Sequence, residues 1–380
     1  MLFIYIIPNM KILVITDYNN KTWIWSQNYN LYSWFKKKWI DSEIINLVSK
    51  QWYKVVPDYW INIISNRFKN PSLNFWFWVF HEFKKQLNRH LKENHYDFVL
   101  LGHQWLAYLY NIVAKNCSNF WIVVLDLFPL YNNLKTSKIK NFIYNKLMLK
   151  NLEKFNNIMC ISDFTVSDYK RLISSSNEKK IISIPCWFDI KPAKFFEKDM
   201  EIFKKEYWLQ GKKVILHVWS EEYRKNIPTF LKIAMSYSQD PDIIFVRIWE
   251  KSKLATNFIK NNKLNNIKYL SWLSVDTLAK FYSIANLYLY TSTLEWFGRP
   301  LVEAYLNDVV CISSKVSDMD TIFQNSKNVH FVSDPYNVKE YLSLIDANID
   351  AEFKPENIDV SLDTEINRYL AFIKNILTKK

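Results

Sequence analysis

Glu295 and Glu303 are separated by seven residues in the stretch Glu295-Trp296-Phe297-Gly298-Arg299-Pro300-Leu301-Val302-Glu303. Carboxylates accept hydrogen bonds from sugar hydroxyls. The stretch follows a strand-like run, Leu287 to Tyr290, and passes through a turn into a helical pattern. The amides that open such a helix lack intrahelical partners and are receptive to phosphate. Two acceptor side chains flanking a row of these amides make a place for a polyhydroxylated ligand that carries a diphosphate. Asp318-Met319-Asp320 has the form of a metal-binding aspartate pair, but it lies well past that strand and reads as a solvated loop. Neither the histidines nor the cysteines show metal-ligand spacing, so we expect no metal and no resident cofactor.

Two more loops hold residues of interest. After the apolar run Val214 to Val218 comes Trp219-Ser220-Glu221-Glu222-Tyr223-Arg224-Lys225-Asn226, which sets a guanidinium beside an ammonium near a strand end. Taken alone, Arg224-Lys225 reads as surface charge. Asn20-Lys21-Thr22-Trp23-Ile24-Trp25-Ser26 follows the first strand-like run, where a turn is expected. His103, in Gly102-His103-Gln104 at another strand end, is a candidate substrate contact with a purely structural role as its alternative.

The chain has 16 tryptophans and 3 glycines in 380 residues, where ordinary usage of about 7% would give on the order of 27 glycines. Several tryptophans stand where the backbone calls for glycine. Trp39 and Trp208 each follow an amphipathic stretch at a helix end, a position that favours a left-handed residue. We therefore expect that the source lineage decodes UGA as glycine and that these tryptophans stand for native glycines. A few, Trp272 among them, are candidates for genuine tryptophan. The alternative is a protein truly rich in tryptophan.

The elements that must position these residues alternate between apolar runs and amphipathic segments, the pattern of an α/β chain with parallel sheets. In the first half the runs are Ile12 to Thr16, Glu43 to Val48, Phe98 to Leu101, Ile122 to Leu125, Ile158 to Ile161 and Ile181 to Ile184, with helical candidates at Phe80 to Glu93 and Ile139 to Phe155. After a proline-bearing break at Pro185 to Lys198, a second series runs through Val214 to Val218, Ile243 to Ile248, Ile267 to Leu270, Leu287 to Tyr290, Val309 to Ser313 and Val329 to Val332. The order restarts, which predicts two doubly wound domains, residues 1–190 and 191–365, with a cleft between them. Residues 366–380 are expected to close the fold as a helix. Ligands of such sheets bind at the carboxyl ends of the strands.

Charge is uneven: residues 1–190 carry +11 and residues 191–380 carry +2. A basic half can meet an anionic membrane surface or a phosphorylated substrate; AT-rich codons that yield solvated lysines are the bland account. No apolar run reaches the 18 or so residues that span a bilayer, and Met1 to Pro8 lacks the basic flank of a signal peptide. Met10 could equally be the true start. Four scattered cysteines, Cys117, Cys160, Cys186 and Cys311, fit a reducing compartment. A cytoplasmic protein is expected, able to sit peripherally on the membrane.

With Trp296 read as glycine the first stretch becomes E-G-F-G-R-P-L-V-E, which resembles the E-x7-E motif of the family-4 (group 1) retaining glycosyltransferases. The loop from Trp219 to Asn226, read with glycine at 219, resembles that family's G-S-x-x-x-R-K-N loop. Trp23 and Trp25 become a G-I-G turn similar to the family's interdomain glycine loop. Ile161 to Thr165 and Ile184 to Asp189 look like its S-x-F-T and I-P-x-G-x-D stretches. The similarity runs from about Lys11 to Tyr341 and is densest from Val214 to Val310.

The resemblance implies the GT-B architecture of two Rossmann-like domains and transfer of a sugar from a nucleotide-diphosphate donor to a glycan or lipid-linked acceptor, without metal. Glu303 would hold the ribose hydroxyls, Glu295 the donor sugar, and the amides from Phe297 to Val302 the sugar and diphosphate. Lys225 sits where the family places its phosphate lysine, a point cation suited to a departing diphosphate. Ser220 occupies the position of an arginine found in many members, and Arg224 is the candidate to supply that guanidinium. The transition state would be oxocarbenium-like, with no side-chain nucleophile and with the donor phosphate taking the acceptor proton.

Departures from the family pattern leave other readings open. Leu125 stands where the family's Val-His-Asp-Leu segment has histidine, which admits a catalytically inactive homologue and makes His103 a possible substitute. Asp308 and Val310 replace the usual glycine and proline. A sugar-nucleotide epimerase or phosphorylase on the same scaffold is a second enzymatic reading. A basic, aromatic nucleic-acid binder follows only if the tryptophans are genuine.

Overall fold

A computed structural model describes residues 10–16, 28, 31–33, 35–36, 40–49, 61–65, 73–127, 130, 148–173, 177, 179–184, 196–271, 273–295, 297–356, 358, 368–369, 371–373 and 375. The chain divides into two units, Met1–Trp187 with Leu362–Lys380, and Phe188–Ser361. The C-terminal segment is part of the first unit, where Phe372 meets the buried Trp121 edge-on at 4.5 Å between ring centroids.

Among the described residues the first unit has seven strands: β1 (Lys11–Thr16), β2 (Asp41–Ser49), β3 (Ile61–Ser65), β4 (Phe98–Leu101), β5 (Phe120–Val124), β6 (Asn157–Cys160) and β7 (Lys180–Ser183). Their order is β3-β2-β1-β4-β5-β6-β7, every pairing parallel. Helices on such a sheet cover both faces, so the central strands read as continuous apolar runs. Ile12 to Ile15 and Phe98 to Leu101 are accordingly buried throughout. Sequence reasoning missed β3, a short edge strand whose Asn62 interrupts the apolar run. The helix expected from Phe80 begins earlier, at Leu73. Most of the helix expected at Ile139 to Phe155 lies outside the described residues.

Among its described residues the second unit has six strands: β8 (Lys213–Val218), β9 (Ile243–Ile248), β10 (Ile267–Leu270), β11 (Leu287–Tyr290), β12 (Val310–Ser314) and β13 (Val329–Val332). They pair in parallel in the order β10-β9-β8-β11-β12-β13. Their core gathers Ile215, Phe230, Phe245, Leu289, Ile312 and Tyr341.

The order of strands reverses direction once in each sheet, between β1 and β4 and between β8 and β11. Loops leaving the carboxyl ends of the two strands diverge at such a point and open a crevice for ligands. In the second unit these are the loops that carry Trp219 to Asn226 and Thr291 to Gly298. In the first unit they are the loop after β1, which includes Trp23 and Trp25 and lies outside the described residues, and Gly102-His103-Gln104 after β4.

Among the described residues two tryptophans occupy left-handed backbone. The helix Glu197–Glu206 ends with Trp208 at φ 53°, where the Trp208 amide donates to the Lys205 carbonyl and the Leu209 amide to that of Lys204. These paired bonds are the helix-ending motif whose left-handed position glycine normally fills. Trp219 has φ 108°, a value that is an outlier for any bulky residue. The helix Arg299–Leu306 ends the same way with Asp308 at φ 60°, so Asn307-Asp308 does end a helix where glycine is usual.

Candidate functional site

The nonapeptide folds as its residue types dictate. Gly298 takes φ 79° and caps the helix Arg299–Leu306, with Pro300 in the first turn. A Cβ at Gly298 would come within 2.9 Å of Met319 Cγ, so both backbone and packing demand glycine there. The helix places Glu303 on its buried side together with Leu301 and Val302. Glu303 Oε1 accepts from Arg299 Nε at 2.7 Å, one turn back, and Oε2 accepts from the Tyr282 hydroxyl at 2.9 Å. Phe297 is buried, and Trp296 lies outside the described residues.

Glu295 and the loop after β8 form a buried ion cluster. Glu295 Oε1 lies 2.5 Å from Lys225 Nζ and Oε2 lies 2.6 Å from Arg224 Nη1. Arg224 also donates from Nε to Glu222 at 2.7 Å. Glu295 is 2% exposed, Lys225 1% and Arg224 6%. Arg224-Lys225 is therefore not surface charge. Burial alone would push the Glu295 carboxyl upward, but the two cations outweigh it and hold it below the usual carboxylate range. Burial pushes Lys225 down to about 8, against the pull of Glu295. For Arg224, burial is outweighed by Glu295 and Glu222, which raise it. Opposite charges at this distance favour the charged forms, so the cluster presents two cations joined by Glu295, with Glu222 as a second partner of Arg224.

An ammonium has three donors, and Glu295 takes one. The Trp219 indole lies over the Lys225 ammonium at 5.9 Å and stacks on Trp249 at 6.1 Å, while the Tyr290 ring lies 5.5 Å from Lys225 on another side. Ser220 is buried with its hydroxyl unpartnered.

The backbone under this cluster is held from β11. Thr291 Oγ1 donates to the Lys225 carbonyl at 3.0 Å, and the Thr293 amide donates to the Arg224 carbonyl at 2.7 Å. Asn226 follows in left-handed backbone and donates from its amide side chain to the Pro335 carbonyl at 2.7 Å. Sequence reasoning missed Thr291, Thr293 and Tyr282, small polar or aromatic residues without a spacing signal. His217 and Arg247 were missed as well, although polar residues inside otherwise apolar strands were a signal.

In the first unit His103 is fully buried, and its Nδ1 accepts from the Trp105 amide as the cap of the turn Gln104–Leu109. This favours the structural role over substrate contact. Gln104 braces the segment that leaves β5, donating to the Asp126 carbonyl at 3.0 Å and accepting from the Leu125 amide at 3.0 Å. Leu125 is itself buried. Trp23 and Trp25 lie outside the described residues, as does Trp187. Among the described residues no group of three or more His, Cys, Asp or Glu side chains is placed to hold a metal, and no helix is long and apolar enough to cross a membrane.

Known proteins share this arrangement of strands and loops. Residues 198–359 match the family Glycosyl transferases group 1. The match lies wholly within the second unit and contains Lys225, Glu295 and Glu303. A curated relative, O-antigen chain mannosyltransferase B of Escherichia coli, is 24% identical over 200 residues, 51% of each chain. The alignment thus spans about half the length of that relative. A glycosyltransferase from Rickettsia africae superposes with TM-score 0.70 at 18% identity, covering 98% of this chain and 99% of that one. Anabaena HepE in complex with UDP and glucose superposes with TM-score 0.72 at 13% identity, covering 96% and 100%. The fold is GT-B, with both units Rossmann-like.

Proposed function

We propose that this chain is a retaining, metal-independent glycosyltransferase that moves a sugar from a nucleotide-diphosphate donor to a glycan or lipid-linked acceptor. The observation that carries the reading is the buried cluster of Lys225, Arg224 and Glu295 at the β8/β11 crevice, with Glu303 on the helix that follows Glu295 in the chain. Preorganised cations in a water-poor site stabilise charge that develops on a leaving diphosphate far better than they would in water. Glu295 spends both oxygens on those cations, so its first task is to aim them, with the donor sugar as a further partner. Glu303, braced by Arg299 and Tyr282, is suited to accept from ribose hydroxyls. Protein cations meet the phosphate charge, so EDTA should leave the rate unchanged. Related proteins support the donor class: HepE was solved with UDP and glucose.

Thermal-shift titration of the full chain with UDP-, GDP- and ADP-sugars tests the reading, since a ligand that binds only the native state raises Tm. No shift with any of them would sink it. The anomeric configuration of the product, read by NMR, tests retention, and transfer of label from donor to a second molecule separates a transferase from an epimerase or phosphorylase. Sedimentation with anionic vesicles at low and high salt tests whether the +11 of residues 1–190 brings the protein to a membrane-borne acceptor.

The same site supports glycine as the native residue at Trp219. The left-handed backbone there strains tryptophan by on the order of 1–3 kcal/mol, and its indole covers the ammonium that the diphosphate must reach. Mass spectrometry of the native peptide spanning Trp219 decides this directly. Trp219→Gly should raise nucleotide-sugar affinity, and equal affinity in the two forms would count against both the glycine assignment and the site.

A further inference from the structure

We propose that Arg247, His217 and Thr291 form a positioning relay that fixes the backbone of Lys225, and thereby the cation that faces the diphosphate. The inference rests on the reading of Lys225 given above. All three side chains are fully buried, and they come from three adjacent strands or strand ends: Arg247 in β9, His217 in β8 and Thr291 just after β11. Arg247 Nη1 donates to His217 Nδ1 at 2.9 Å. A guanidinium can only donate, so Nδ1 accepts and the imidazole proton resides on Nε2. Burial, with Arg247 and Lys225 nearby, pushes the His217 pKa well down, in keeping with a neutral ring that has one donor and one acceptor. Nε2 lies 3.3 Å from Thr291 Oγ1 and donates to it. The Thr291 hydroxyl in turn donates a hydrogen bond to the Lys225 carbonyl at 3.0 Å. Every member has its direction set by the one before it.

The relay begins at a group that also holds the other end of the same loop. Arg247 Nη2 donates to the Ser220 carbonyl at 2.9 Å. One buried guanidinium thus pins residue 220 directly and residue 225 through two intermediaries. Burying a guanidinium is costly; Tyr269 and the Glu221 carboxylate offset part of that cost, while its hydrogen bonds to His217 and Ser220 go to neutral acceptors that define a loop. Fixed orientation of a charge is what makes it effective in a transition state, since a charge held in place needs no reorganisation as the leaving group departs.

The test uses the full chain and whichever of UDP, GDP or ADP binds it most tightly, together with the corresponding nucleoside monophosphate. The ratio of diphosphate to monophosphate affinity reads the placement of Lys225; a general loss of packing would lower Tm and weaken both ligands alike. Thr291→Val keeps the shape and removes the relay's last donor, so the ratio should fall about three- to tenfold, and Thr291→Ser should restore it. His217→Gln, whose amide can accept from Arg247 and donate to Thr291, should keep the ratio, whereas His217→Leu should lose it. If no nucleotide binds, the functional reading fails. If Lys225→Ala lowers the ratio while Thr291→Val and His217→Leu leave it unchanged, the relay is overturned and the functional reading stands.

Discussion

The two switch points of this molecule have the same topology and opposite electrostatics. Beside β8 and β11 the buried polar side chains include charged ones: Glu295 between Lys225 and Arg224, Glu303 under Arg299. Beside β1 and β4 the buried polar side chains among the described residues are neutral: Thr16, Asn28, His103 and Gln104. Asn28 donates to Thr16 and lies so close to Gly102 that a Cβ there would come within 2.3 Å of Asn28 Nδ2. A buried charge must be paired where a buried amide needs only hydrogen bonds. The difference teaches that the second unit keeps buried charge paired at its switch point, as the proposed binding of a highly charged ligand requires, while the described part of the first holds its own loops together through neutral hydrogen bonds.

The largest effect should come from breaking the ion cluster. Glu295→Ala leaves the buried Lys225 without its carboxylate and Arg224 with Glu222 alone, and should cost about 3–5 kcal/mol, seen in urea as earlier unfolding of the second unit. Gln104→Ala, which orphans the Leu125 amide in the first unit, should cost about 1–3 kcal/mol. Equal losses would dissolve the contrast between the two crevices. Lys225→Ala should lower kcat by roughly a hundredfold with a smaller rise in donor KM, because its charge matters most as the diphosphate leaves. A change in KM alone would make Lys225 a ground-state binder.

Glu303→Ala should weaken nucleotide binding by about 1.5–3 kcal/mol, the loss of a charge-assisted hydrogen bond, measured by calorimetry with the free nucleoside diphosphate. The smallest effect is on pH. Lys225 acts in its protonated form, and burial lowers it to about 8, so kcat/KM should fall as pH rises through that value. The limb in kcat should lie higher, since a bound diphosphate favours the ammonium. Lys225→Arg should shift the alkaline limb upward; an unmoved limb would assign it to another group.

Most strands were legible because a parallel strand covered on both faces leaves an unbroken apolar run, as in Ile243 to Ile248 and Leu287 to Tyr290, whose bounds the structure reproduces. β3 was not, because an edge strand with Asn62 in its middle has no such run. Glu295, Glu303 and Lys225 stood out by type and spacing, yet their local sequence held no sign that Glu295 would clasp both cations. Arg224-Lys225 looks like any basic surface pair until β8 and β11 lie side by side.

The sequence by itself determined the alternation of elements, the restart that makes two units, the helix start at Gly298 and the excess of tryptophan at turn positions, since all of these follow from local sterics and periodicity. Only the tertiary structure decided partnership. Lys225 and Glu295 are 70 residues apart in the chain, as are Arg224 and Leu294, and the relay joins β9 through β8 to the loop after β11. Contacts between distant segments depend on strand order, and strand order is a property of the whole sheet that no local pattern of residues encodes.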